Sequence, residues 1–115
     1  MSNTYKQPRD EFTVPAGQTV RIPLTAPELR ERSVLTASVS SDEEVTFWWE
    51  WGDASDTAGS LPYSTEPLAA TCPAGESYSI VQPLAGAPDQ AELAISNAGG
   101  SPATGFANLS ARSHS

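Results

Sequence analysis

The stretch EVTFWWEW, residues 44–51, contains all three tryptophans of this 115-residue chain. Successive side chains of a β-strand point to opposite faces of the sheet, so these residues divide into two rows. One row is apolar throughout, as is typical of a core face: Val45, Phe47, Trp49 and Trp51. The other row places Trp48 between Thr46 and Glu50. The alternation therefore predicts a half-buried strand, and Trp48 is the aromatic residue that a core does not explain.

Short segments of the same kind follow one another along the rest of the chain. Ten prolines and eight glycines interrupt the sequence too often for long helices. Alternation of apolar and polar residues predicts further strands between these turn residues. They cover residues 12–14, 18–24, 33–41, 68–72, 76–84, 90–98 and 105–113. We expect a loop or a single helical turn at residues 25–32 and a long loop at residues 52–67.

Two turn-and-strand segments resemble each other. PAGQTVRI at residues 15–22 and PAGESYSI at residues 73–80 share Pro, Ala, Gly and the closing Ile, at an offset of 58 residues. Proline presets φ for a turn, and glycine supplies a positive φ before the strand begins. The match indicates either a structural repeat with about four strands in each half, or only a frequent turn in a chain rich in Ala, Pro and Gly.

These patterns predict an all-β fold, an antiparallel sandwich of two sheets with about eight strands, most similar to a jelly roll. An immunoglobulin-like sandwich is the alternative. It is less favoured because the single cysteine, Cys72, leaves no Cys…Trp…Cys spacing. The length is sufficient for one domain. We expect an extended polar N-terminal arm at residues 1–11, or simply a flexible terminus, followed by one sandwich domain at residues 12–113.

The charge of the chain limits its partners. Fourteen acidic residues stand against six basic ones, for a net charge of −8. A negative surface repels nucleic-acid backbones and anionic membranes, so neither is an expected partner. The beginning of the chain, MSNTYKQPRDEF, has no apolar core of a secretory signal. We therefore expect synthesis in the cytoplasm, and any later exit from the cell would be inside a larger particle.

Residues that carry enzyme chemistry are few. The only histidine is His114, next to the C-terminus, and Cys72 is best explained as a small core residue. One cysteine and one histidine do not make a zinc site. The carboxylates of residues 42–44, and those of Asp53 and Asp56, are expected to be solvated turns, since their spacing does not match a calcium loop. We predict no catalytic activity, no metal and no cofactor.

The chain resembles the small accessory proteins of tailed-phage virions, which decorate the capsid shell or form its fibres. The resemblance lies in its length, in the polar arm before FTVPAG at residues 12–17, and in strands rich in Thr, Ser and Ala across residues 12–113. It implies a non-enzymatic homo-oligomer, such as a trimer, whose protein partner is the capsid shell or its own copies.

Aromatic and arginine side chains are enriched in the buried centres of protein interfaces. On that basis the predicted contact residues are Tyr5, Arg9, Phe12, Trp48 and Tyr63. The alternative is a carbohydrate-binding sandwich, in which Trp48 with Tyr63 or Tyr78 forms a flat platform for sugar rings. A small enzyme on the same fold is the least favoured hypothesis.

Overall fold

The computed structural model describes residues 3–27, 29–52, 69–84 and 89–113. Nine strands and one short 3-10 helix make up this part of the chain. The strands are β1 Asn3–Lys6, β2 Asp10–Val14, β3 Thr19–Pro23, β4 Val34–Ser41, β5 Val45–Gly52, β6 Ala70–Cys72, β7 Glu76–Pro83, β8 Gln90–Ser96 and β9 Ala103–Ser113. The 3-10 helix, Leu29–Glu31, lies in the segment predicted as a loop or helical turn. No helix in the described residues is long and apolar enough to cross a membrane.

All eight predicted strands are present, and β1 is an additional strand within the expected arm. That arm is extended, and it lies on its own domain: β1 pairs with residues 110–113 of β9, and β2 pairs with residues 103–107 of the same strand. The two segments thus form one interrupted edge along β9. Residues 10 and 11, which the prediction placed in the arm, belong to β2.

The strands form two antiparallel sheets. The first has the order β1-β9-β4-β7, with β2 also beside β9, and the second has the order β3-β8-β5-β6. The chain is a long hairpin in which β5 pairs with β6, β4 with β7, β3 with β8 and β2 with β9. This hairpin is wrapped so that β4 also lies beside β9, and β5 beside β8. The order is that of a jelly roll, which confirms the predicted fold, and it is not the immunoglobulin order.

The two PAG segments form equivalent turns. Gly17 has φ of 74° and Gly75 has φ of 75°, as the third residue of a type II turn requires. Each turn closes with a hydrogen bond from the N–H of the following residue to the proline carbonyl, 3.0 Å at Pro15 and 3.2 Å at Pro73. The sheet orders show the same symmetry. If each strand of the row β2-β9-β4-β7 is replaced by the strand four places later in the chain, counting on from β9 to β2, the row becomes β6-β5-β8-β3, which is the second sheet in reverse. The sequence match therefore corresponds to a structural repeat.

The core lies between the sheets and is centred on the apolar row of β5. Val45, Phe47, Trp49 and Trp51 are all buried. They share one apolar cluster with the inner row of β9, whose side chains are mostly small: Ala103, Ala107, Leu109 and Ala111. Large side chains on one layer pack well against small ones on the other, because the distance between the sheets then stays uniform. Cys72 is buried in the same cluster, as predicted.

Gly105, on the inner row of β9, lies directly against the backbone of the neighbouring strand β4. A Cβ atom there would overlap the carbonyl oxygen of Ser40 on the neighbouring strand β4. Backbone atoms of a central strand move only if the ladder moves with them, so no side chain can yield to make room. Glycine is therefore required at this position by the approach of two backbones.

We expect Gly105→Ala to destabilise the domain by about 1–3 kcal/mol or more, because the added methyl group forces β9 and β4 apart. Gly100→Ala is the control, since a Cβ atom at Gly100 meets nothing within 4 Å. Urea unfolding followed by tryptophan fluorescence measures both. Equal midpoints for the two variants would contradict the close approach at Gly105.

Candidate protein-contact surfaces

The side chains of Tyr5 and Gln7 hold the arm against its own domain. Tyr5 packs partly buried against the core, and its hydroxyl oxygen lies 3.1 Å from Oγ1 of Thr25. Gln7 accepts the backbone N–H of Thr25 at 2.8 Å and donates to a carboxylate oxygen of Asp10 at 2.8 Å. The N–H of Gln7 donates to the carbonyl of Leu109. Tyr5 is thus engaged within the subunit through both its ring and its hydroxyl group.

The next part of the arm carries an exposed aromatic contact. The guanidinium carbon of Arg9 lies 5.1 Å from the ring centroid of Phe106, a cation–π distance. Phe106 projects from the outer face of the first sheet and is 39% exposed. Phe12, by contrast, is only 6% exposed and points into the core. Of these two phenylalanines, Phe106 is the one that a partner could reach.

Phe106 was missed in the sequence, although a signal for it exists. In GFANLSARS, alternation places Phe106 in the row of Asn108 and Ser110, opposite the apolar row of Leu109. An aromatic residue in a polar row is the same anomaly that identified Trp48. Its strand neighbours on β2 and β4 are Glu11 and Ser40, which are polar as well.

Trp48 lies on the outer face of the second sheet, as the alternation predicts, and it is partly buried there. Its indole Nε1 donates to Oε2 of Glu50 at 3.0 Å. Arg21 on β3 donates from Nε to the other oxygen of Glu50 at 2.9 Å, and the same Nε lies 3.7 Å from a carboxylate oxygen of Glu92. Ala94, which pairs with both Arg21 and Trp48, is 0% exposed. The two large side chains therefore cover the middle of this face.

The charges in this group stabilise one another. The hydrogen bond from Arg21 holds the pKa of Glu50 below its ordinary value, against the opposing effect of partial burial, and the Trp48 indole acts in the same direction. The hydrogen bond to Glu50 correspondingly raises the pKa of Arg21. Trp48 is thus held by an ion pair, with its N–H already used inside the subunit.

The predicted contact residues do not converge on one site. Trp48 is on the outer face of the second sheet, whereas Tyr5 and Arg9 belong to the edge of the first. Tyr78 is on β7, at the opposite edge of the first sheet, so it forms no platform with Trp48. Tyr63 lies outside the described residues. Within the described residues, the outward or exposed aromatic side chains instead lie at three separate places: Trp48 on the second sheet, and Phe106 and Tyr78 on different strands of the first.

The acidic turn predicted between β4 and β5 is a structural feature of one end of the sandwich. Asp42 accepts the N–H of Thr104 at 2.8 Å and so ties the turn to β9. Glu43 and Glu44 are exposed and border a groove of 260 Å³ beside residues 96–101. Within the described ranges, no three His, Cys, Asp or Glu side chains are placed to hold a metal ion. Asp53, Asp56 and His114 lie outside those ranges.

Cys72 lies beneath this end of the sandwich. Its sulfur is 3.2 Å from the carbonyl oxygen of Glu76 and 3.5 Å from that of Val39. Burial raises the pKa of the thiol, so the reactive thiolate is disfavoured.

Comparison with known proteins identifies the fold. No protein-family model matches the sequence, and no curated protein matches it. The crystal structure of PirA is similar, with a TM-score of 0.57 and 17% identity over 90% of this chain and 92% of PirA. A subunit of the Bacillus endospore appendages, a family of disulfide-linked pili, is similar with a TM-score of 0.57 and 14% identity, over 97% of this chain and 87% of that one.

A de novo designed double-stranded β-helix covers 92% of this chain and 99% of its own, with a TM-score of 0.48 and 11% identity. At the identities of PirA and the appendage subunit, the likeness shows a shared fold and nothing finer. This chain is an all-β sandwich with the same overall architecture as those two proteins.

The two adjacent tryptophans of β5 should differ sharply in their contribution to stability. Trp49→Ala removes a fully buried side chain, so we expect a loss of about 3–5 kcal/mol and an unfolded or molten domain. Trp48→Ala removes a partly exposed ring and one hydrogen bond, for which we expect a loss of about 1–2 kcal/mol. Urea unfolding of both variants tests the assignment, and a similar loss for the two would refute it.

The Glu50 ion pair predicts that the stability difference between the wild type and Glu50→Gln depends on pH. A pKa that is lowered by folding stabilises the domain above the unfolded value of about 4.3, and this contribution is lost as the pH falls through the folded value. Glu50→Gln can still accept the Trp48 N–H but carries no charge. We expect it to be less stable than the wild type at pH 7 by at most about 1 kcal/mol, since the pair is partly exposed.

At pH 3 the gap between Glu50→Gln and the wild type should narrow. Unfolding midpoints at the two pH values measure this change. Glu44→Gln, which removes an exposed turn carboxylate, is the control for the loss of one negative charge. A gap that is the same at pH 3 and pH 7 would show that the carboxylate contributes nothing through its charge.

Proposed function

We propose that this protein is a non-enzymatic structural subunit that functions by binding protein, including further copies of itself. One observation carries the proposal. The large hydrophobic side chains that are exposed in the described residues all belong to the first sheet: Tyr78 at 49%, Val81 at 52% and Phe106 at 39%. Two of the three, Tyr78 and Val81, lie on the single edge strand β7, and exposed apolar side chains that occur together mark sites of protein contact more often than scattered ones do.

The appendage subunit supports the proposal by analogy. Its name says that it builds pili, so a jelly roll of this size can serve as a building block. A fold alone does not establish a function, so the proposal depends on the exposed hydrophobic side chains of the first sheet. Those pili are linked by disulfides, whereas the one cysteine here, Cys72, is buried. Assembly of this chain would accordingly be non-covalent.

The finer proposal is a virion accessory protein of the capsid-decoration kind, which self-associates and binds a shell. It is supported by the resemblance in length, arm and strand composition described above. In this proposal the protein is made in the cytoplasm and is then incorporated into the virion. Arg9 and Phe106 are suited to contact a neighbouring subunit, because both the cation and the ring are accessible.

Carbohydrate binding has less support. A sugar platform needs an open aromatic face, and neighbouring polar groups free to bond hydroxyls. The Trp48 N–H is already bonded to Glu50, and Glu50 to Arg21. In the part of the chain that the structure describes, no second aromatic side chain lies on the same outer face, whose strands are β3, β8, β5 and β6.

The molar mass of the purified chain in solution tests the proposal, by light scattering on a sizing column across a range of concentrations. We expect an oligomer of two or more copies. A monomer at every concentration would contradict the proposal. Electron microscopy of the same sample then separates closed oligomers, which a decoration protein forms, from filaments, which an appendage subunit forms.

Trp48→Ala should weaken the assembly and leave the fold intact, if the outer face of the second sheet also takes part in contacts. Thr46→Ala, in the same row of β5, is the matched control. We expect a shift of the oligomer midpoint by roughly tenfold in concentration for Trp48→Ala, which corresponds to 1.4 kcal/mol. Equal midpoints for the two variants would exclude the Trp48 face from the interface.

A further inference from the structure

The four sheet edges of this sandwich are not equally protected. A free strand edge presents unpaired backbone groups, and proteins usually block such edges with charges, prolines or short strands. The β1–β2 edge is interrupted by Pro8 and carries Lys6, Asp10 and Glu11. The β3 edge carries Arg21 and ends at Pro23.

The β6 edge is protected by its length, since the strand has only three residues and is followed by Pro73. The fourth edge, β7, has none of these devices. It is eight residues long, and ESYSIVQP contains no charge after Glu76 and no proline before Pro83. Among the described strands, only β4 pairs with it.

The two most exposed large hydrophobic side chains of the described residues are also on β7. Tyr78 shares the inner row with Ile80, since their partners on β4 are the buried Val39 and Ala37. Val81 is in the outer row, opposite Thr36. Exposed apolar residues on both rows of an unblocked edge are what a strand that binds another strand requires.

We propose that β7 pairs antiparallel with β7 of a second copy of this chain, so that the first sheets of the two copies become one continuous sheet. The inference depends on the proposed function, because it specifies the surface by which the subunit self-associates. A second copy is the partner that the sequence of β7 fits. The other three edges, being blocked, are poorer partners for it.

The proposed register is centred on Ser79, which then faces Ser79 of the second copy. In an antiparallel pair, opposite residues lie on the same face of the sheet. This register places Tyr78 opposite Ile80 of the second copy, and Ser77 opposite its Val81. Pairs of an aromatic with a β-branched residue are among the favourable cross-strand pairs.

The ends of β7 fit this register as well. Glu76 faces Gln82 of the second copy, so no two like charges are opposed. Pro83 and the Gly75 turn meet where pairing has to stop in any case. The net charge of −8 on each copy still opposes association at long range, and for this reason pairing should tighten as salt is added.

A lysine at the centre of the pair tests the inference. Ser79 is exposed on the outer row, so Ser79→Lys should fold normally while placing two cations directly opposite each other. We expect the self-association Kd to weaken at least tenfold. Asn108→Lys is the matched control, because Asn108 is exposed on the same outer face, on the interior strand β9. Its Kd should stay within about threefold of the wild type.

Sedimentation of the full chain at about 0.15 M salt measures both variants, and unfolding midpoints confirm that each is folded. If the wild type assembles and Ser79→Lys assembles equally well, pairing through β7 is wrong and the proposed function stands. If the wild type is monomeric at every concentration, the proposed function fails, and this inference fails with it.

An engineered disulfide tests the register. In a Cys72→Ala background, Ser79→Cys should form a covalent dimer on mild oxidation, because opposite Cα atoms lie about 4.5–5.5 Å apart. Ser77→Cys should not, since the two copies of residue 77 would be about 13 Å apart along the strands. Faster crosslinking through Ser77→Cys than through Ser79→Cys would overturn the register centred on Ser79.

Discussion

The apolar cluster between the two sheets, which combines large aromatic side chains on β5 with small side chains on β9, is the constraint on which this structure depends. Phe47, Trp49 and Trp51 fill the space between the sheets from one side. A second layer of large side chains would hold the sheets apart, and the inner row of β9 is accordingly dominated by alanine, with Gly105 at a position where a Cβ atom would overlap the backbone of β4. The polar outer faces follow from the same alternation, since each residue turned inward turns its neighbours outward.

A large part of this fold could be predicted because strands and turns are determined mainly by residues that are close together in the sequence. Alternation places every predicted strand correctly, and the paired PAG turns predict the two halves. The sequence does not show which strand lies at the edge of a sheet, because that position depends on pairings between distant segments such as β4 and β7. The exposure of Tyr78 and Val81 could therefore not be predicted: both stand in a pattern that an interior strand could equally show.

The candidate surfaces follow the same division. Trp48 could be assigned to an outer face from its neighbours, and Phe106 carries an equivalent signal. The ion pair that holds Trp48 could not be predicted, because Glu50 meets Arg21 only through the shared neighbour β8. The arm shows a related limit. Its sequence predicts an extended segment but does not show what that segment binds. The arm pairs with β9 of its own chain, because β9 is present there at a far higher effective concentration than any strand of another subunit.

The wrapped hairpin also determines when the domain can fold. Asn3 pairs with Ser113, and β2 pairs with the first half of the same last strand. The first strands to be synthesised thus have no partner until β9 has been made, and most of the ladder joins segments far apart in sequence. Contacts of this kind make folding slow, on the scale of milliseconds to seconds. During that interval an unpaired β9 in one folding chain is available to the N-terminal strands of another, so a high concentration of folding chains favours exchange of β1 and β2 between them.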